Sequence, residues 1–143
     1  MAMQTKNYSH KAHKCLGNNG YKIALQDMTI ADVIALHEHM EHMNHIAVSK
    51  HAKEQNAERG LNCTVGTYKE MLTDIWNVVE LQVQAGNKKA LLLREDQEDY
   101  ALCACIGLNG FVVTVYGNRL DQKHLNKNPK MYHKGGNVAE LLK

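Results

Sequence analysis

Two rhythms of apolar and polar residues divide this chain, and the change falls near Trp76. Before it, Ile30, Val33, Ile34, Leu36 and Met40 recur at helical spacing rather than in strict alternation. Thr29 and Asp32 stand ahead of that run like a capping box, a hydroxyl and a carboxylate that answer free backbone N–H groups. A helix over residues 30–45 is therefore predicted. Ser49 is suited to cap a second helix over 50–58, and Gly60 to end it. A third helix is predicted over 65–76, with Tyr68, Met71, Leu72 and Ile75 on one face. Residues 21–26 read as a short strand.

After Trp76 the pattern becomes β-like. Residues 77–84 (NVVELQVQ) alternate, and Gly86-Asn87 marks a turn into 88–94 (KKALLLR). A polar turn at 95–98 leads into 100–108 (YALCACIGL), and Asn109-Gly110 joins that run to 111–116 (FVVTVY). Asn-Gly is the strongest short hairpin signal, because a type I′ turn needs positive φ at both residues. The reading is an α+β domain, N-terminal helices followed by a four-stranded antiparallel β-meander. Residues 138–142 read as a last short turn.

Composition bounds this picture. A length of 143 residues suits one domain, since domains commonly run about 100–150 residues. Within it, 1–20 read as a polar, turn-rich lead-in expected to be mobile, 30–76 as helical, 77–117 as sheet and 118–143 as a basic tail. A single proline and no Pro/Ser-rich stretch leave no linker to a second domain. No apolar run approaches the ~20 residues of a membrane helix, and the N-terminus carries no apolar signal core, so a soluble cytoplasmic protein is expected. Cys15, Cys63, Cys103 and Cys105 form no C-x-x-C pair, which argues against a zinc ribbon or redox motif. Cys103 and Cys105 share one side of a strand and read as buried, reduced thiols.

The net charge of +2 is no argument for nucleic acid by itself. It hides an asymmetry. Between Gly117 and Lys134, Arg119, Lys123, Lys127, Lys130 and Lys134 face Asp121 alone, with His124 and His133 in addition.

Three constellations bear on chemistry. His37, His39, His42 and His45 crowd HEHMEHMNH, and on a helix His37, Glu41 and His45 would share a face. Such a set could bind zinc, but the order matches no catalytic zinc motif. The leading reading is a solvated polar helix face, ahead of a metal site and then of a partner-facing surface. Second, Ser49-Lys50-His51 opens the second helix, with His51 on the same face as Glu54 or Gln55 and Glu58. Third, Lys88, Lys89 and Arg94 bracket one strand, Thr114 and Tyr116 share a face of the last strand, and His124 follows it. Singly these are solvated residues. Together they fit metal-free RNA cleavage: a base takes the ribose 2′-hydroxyl proton, cations stabilise the phosphorane and an acid protonates the leaving oxygen.

The order of Ser-x-His, helix, Arg-Gly-Leu, helix and a meander ending in V-V-T-V-Y resembles the barnase–EndoU–colicin–RelE superfamily of small ribonucleases, and within it phage endoribonucleases and RelE-like toxins. The signature S-x-H-A-x-x-R-x-x-x-R-G-hydrophobic reads here as Ser49-Lys50-His51-Ala52-Lys53-Glu54-Gln55-Asn56-Ala57-Glu58-Arg59-Gly60-Leu61. The likeness spans about residues 47–125, so the histidine-rich helix falls outside it. It implies an RNA-cleaving or RNA-binding fold, with His51 as acid/base and Arg59 as a structural or phosphate-binding cation. Gln55 departs from the signature, which carries arginine there.

The expected function is a small metal-independent endoribonuclease acting on mRNA or tRNA without a cofactor. His51 and His124 are the candidate acid/base pair, with Tyr116 for stacking or proton relay. Arg59, Lys88, Lys89, Arg94, Thr114, Arg119 and Lys123 are the candidate substrate contacts. The first alternative is a nuclease-like fold without catalysis that binds RNA, or that inhibits or answers to a protein partner such as an antitoxin. The second is a metal-binding protein using His37, Glu41 and His45.

Overall fold

The computed structural model describes residues 20–122 and 138–142. His124, Lys123, the N-terminal lead-in and most of the basic tail lie outside them. Along the chain run β1 (Tyr21–Ala24), α1 (Ile30–Glu41), β2 (Ala47–Val48), α2 (Lys50–Arg59), α3 (Val65–Met71), β3 (Val78–Gln84), β4 (Lys88–Asp96), β5 (Ala101–Gly107), β6 (Phe111–Asn118) and α4 (Val138–Leu141). The class is α+β. Among the described residues the sheet has six strands in the order β1-β3-β4-β5-β6-β2. The expected four-stranded antiparallel meander is thus corrected to a mixed sheet. β3 to β6 pair antiparallel in succession, β1 adds antiparallel to β3, and β2 adds parallel to β6. Nor are the helices simply N-terminal: β1 precedes them, β2 separates α1 from α2, and α4 follows the sheet.

The helix starts follow their caps. Thr29 Oγ1 accepts from Asp32 N at 3.1 Å while Asp32 accepts from Thr29 N at 3.2 Å. Ser49 Oγ accepts from Ala52 N at 3.0 Å, and Gly60 ends α2 with φ 62°. Two helix ends fall short of expectation. α1 stops at Glu41, because the chain turns there and runs on to pair β2 with β6; His42 Nδ1 lies 2.7 Å from the Glu38 carbonyl that the stopped helix leaves open. α3 stops at Met71 instead of reaching Trp76. Asn77 Nδ2 donates to the Met71 carbonyl at 3.0 Å, and Asp74 caps a separate 3-10 turn through Trp76 N at 2.9 Å.

The sheet's helix-covered face is apolar. Ile23, Leu81, Leu91, Leu93, Ala104 and Ile106 pack with Leu36, Met40, Tyr68 and Met71. The α1 stripe is only partly core, however. Leu36 and Met40 are buried, while Ile30 is 80% exposed and Ile34 also faces out, as does Trp76. Cross-strand register places Glu80, Leu92, Cys105 and Thr114 in one row of the opposite face, with Arg94, Cys103 and Tyr116 in the next. Glu80, 2% exposed, bonds Lys22 at 3.3 Å and accepts from Gln82 at 2.8 Å, so its buried charge is both paired and hydrogen-bonded.

The two turns exchange the expected geometry. Adjacent positive φ values occur at Gly86 (76°) and Asn87 (61°), not at Asn109-Gly110, where only Gly110 is positive at 87°. Gly110 N donates to the Gly107 carbonyl at 2.8 Å, closing a turn through Leu108 and Asn109 with a left-handed glycine after it. Gly110 is also where the chain of β2 comes closest: Ala47 N donates to its carbonyl at 3.0 Å, and an added Cβ would collide with the His45 carbonyl. Gly110→Ala is therefore expected to lower stability by about 1–3 kcal/mol from overpacking alone, with further loss from the positive φ. Urea unfolding measures this, and an unchanged midpoint would contradict the β2–β6 contact.

Candidate functional site

α2 carries the residues the sequence singles out, and β6 holds α2 in place. A strand at a sheet edge leaves a row of backbone groups without partners. On β6 that edge is met in three steps. β2 covers its start, with Ser49 N donating to the Val112 carbonyl at 3.0 Å. Ser49 Oγ donates to the Val113 carbonyl at 3.0 Å. Gln55 Oε1 then accepts from Val115 N at 3.2 Å and from Thr114 Oγ1 at 2.5 Å. Polar side chains of one helix thus continue the pairing that a two-residue strand begins. Gln55, the position that departs from the ribonuclease signature, is an acceptor here. An arginine, with donors only, cannot take its place.

This docking sets the exposure of the neighbours. Ala52 is buried under α2, while His51 faces solvent and makes no hydrogen bond or ion pair with any described residue. His51, Gln55 and Arg59 are four apart in turn and lie along one stripe of the helix. Arg59 sits at its end in an open cleft of about 490 Å³, lined also by Leu61, Tyr100, Gly117 and Arg119, with Asp99 on the rim. Gly117 forms the floor: a Cβ there would lie 3.3 Å from the Tyr100 ring and 3.6 Å from Leu61. The cleft joins two expected substrate contacts, Arg59 and Arg119, that are far apart in sequence. Arg119 is held by Asp121 through two bonds at 3.0 and 2.5 Å, while Arg59 has no ion pair among the described residues. Tyr100 was not expected here. The signal available was its place at the head of a strand whose partner carries a glycine.

The remaining expected contacts lie elsewhere. Lys88 and Lys89 line a second cleft of about 590 Å³ at the other end of β6, beside Phe111 and His39. Arg94 is a tie between segments, not an outward cation: it bonds Asp96 at 2.8 Å, Leu120 O at 3.0 Å, and the carbonyls of Arg119 and Gln122. Thr114 is bound to Gln55, and Tyr116 shares a hydrogen bond with Cys103 while burial pushes its phenol well above the usual range. The histidine-rich helix does not gather a metal site. His37 Nε2 pairs with Glu41 at 3.0 Å, His45 lies beyond the end of α1, and among the described residues no three His, Cys, Asp or Glu side chains are placed to hold an ion. No helix among them is long and apolar enough to cross a membrane.

No protein-family model matches this chain, no curated protein matches its sequence, and no solved structure matches its fold.

Two outcomes test this geometry. Gln55→Ala leaves the Val115 N–H without its acceptor and is expected to cost about 1–3 kcal/mol, whereas Gln55→Glu, which keeps an acceptor, retains most of the stability. Equal losses in both variants would show that the edge contact is not what matters. Cys103 and Cys105 supply the second. Burial pushes both thiols from the usual 9.0 up to about 11. The folded state holds these protons more tightly, so stability is steady below pH 9 and falls as pH rises through about 11. Thermal melts across that window should show the fall, and a C103A/C105A variant should reduce it, leaving the part that the raised phenols of Tyr68 and Tyr116 contribute above pH 10.

Proposed function

We propose that this chain is an RNA-binding protein whose contact with the phosphodiester backbone is the cleft between the end of α2 and the end of β6. The observation that carries the reading is that Arg59, Arg119 and Tyr100 line one cleft. Two guanidinium groups suit phosphate oxygens, and an aromatic ring suits a base, a combination general to single-strand binding. The signature that includes Arg59 and the basic character of the segment after β6 support it.

Binding is favoured over cleavage because neither acid/base candidate among the described residues lines this cleft: His51 stands in solvent and Tyr116 is tied to Cys103. One observation favours cleavage as a second reading. His51 lies on the stripe of α2 that ends at Arg59, about 12 Å away along the axis at 1.5 Å per residue. A strand held at Arg59 can therefore pass His51.

Binding of the full chain to short RNA, followed by anisotropy at several salt concentrations, tests both. The log–log salt slope is expected to reach at least about 1.4 from the two arginine contacts, at about 0.7 per contact on a single strand, and R59A should lower it by about 0.7. Absence of RNA binding, or affinity untouched in an R59A/R119A variant, overturns the reading. Cleavage in EDTA that disappears in H51A while binding persists establishes the second reading instead.

A further inference from the structure

The larger cleft belongs to none of this, and its lining has a particular chemistry. It opens at the start of β6, where Phe111 and Val113 both face outward, Phe111 being 43% exposed. The exposure has a local cause. Ile106 pairs with Val112, but Cys105 pairs with Thr114, so Val113 is the extra residue of a bulge. Bulges bend a strand and re-aim its side chains. The chain's single phenylalanine is thereby set on a cleft wall instead of in the core. Lys88 and Lys89 stand in the same lining, as do the amides of Gln84, Asn87 and Asn109. Asn109 Oδ1 accepts from Phe111 N at 3.0 Å, which steadies the turn beside the ring and leaves the amide N–H₂ to donate elsewhere.

An apolar ring wall, amides that donate and accept, and ammonium groups at the rim fit a flat heterocycle carrying a phosphate. A pocket of this volume is also within the range that holds a small ligand. We propose that this cleft is a base-stacking subsite for an unpaired nucleotide, with Phe111 as the stacking face and Lys88 and Lys89 as phosphate contacts. The inference rests on the RNA-binding reading above and sharpens its ligand. Phe111 and Gly117 are six residues apart on one strand, about 20 Å at 3.3 Å per residue. A ligand engaging both clefts is a single strand of about 4 nucleotides or more, running along β6. A duplex, whose bases are stacked on one another, offers no face to Phe111.

The test compares a dinucleotide, an unpaired octanucleotide and a duplex of equal length on the full chain. The octanucleotide is expected to bind more tightly than either of the others. Phe111→Leu, which keeps apolar bulk but loses the ring, should weaken octanucleotide binding about tenfold, and Phe111→Tyr should restore it. K88A should weaken it further as salt falls. If F111L binds the octanucleotide as tightly as the parent while R59A weakens it, the subsite is refuted and the RNA-binding reading stands. Preference for the duplex refutes the subsite equally. If the parent chain binds none of the three, both fail.

Discussion

The outer edge of β6 is the constraint on which the rest of the molecule depends. An unsatisfied row of backbone groups beside a buried core is costly, and this chain covers it with three kinds of partner in succession: two residues of β2, the Ser49 hydroxyl and the Gln55 amide. Each partner fixes something else. The β2 pairing draws His45 against Gly110 and ends α1 early. The Ser49 contact starts α2 at a defined height on the strand. The Gln55 contact sets the rotation of α2, and with it the outward aim of His51 and the place of Arg59 in the cleft beside Gly117. The candidate site is therefore a by-product of closing a sheet edge.

Much of this fold is legible in the sequence because it depends on local patterns. The alternation after Trp76 announces strands, Thr29 and Asp32 announce a cap, and Gly60 announces a stop. What is not legible is set at long range. β2 is too short to carry a rhythm, and its partner lies more than sixty residues on. The outward turn of Ile30 and Ile34 depends on which side of α1 meets the sheet, and both sides are apolar enough to qualify. The exchange of turn types reflects the bulge in β6, because a left-handed residue at Gly110 alone suits a strand that carries one residue too many.

The candidate site divides the same way. Arg59 follows from its motif and Arg119 from the local excess of charge, but their meeting in one cleft with Tyr100 follows only from the tertiary fold. Arg94 has the composition of a phosphate contact and the position of a brace, since its strand passes beneath the segment that leaves β6. The same logic separates His37 from His45: a helical spacing means nothing once the helix has ended between them.

Gln55 has one more consequence. A helix has no backbone donors or acceptors left along its flank, so a sheet that ends against one ends for good. β6 is the strand most suited to recruit a neighbour, being long and carrying exposed Phe111 and Val113. With α2 seated, no second chain can dock there as an added strand. The amide that closes this edge thus also blocks growth of the sheet at β6: it keeps a surface open to a flexible ligand while denying it to an added strand.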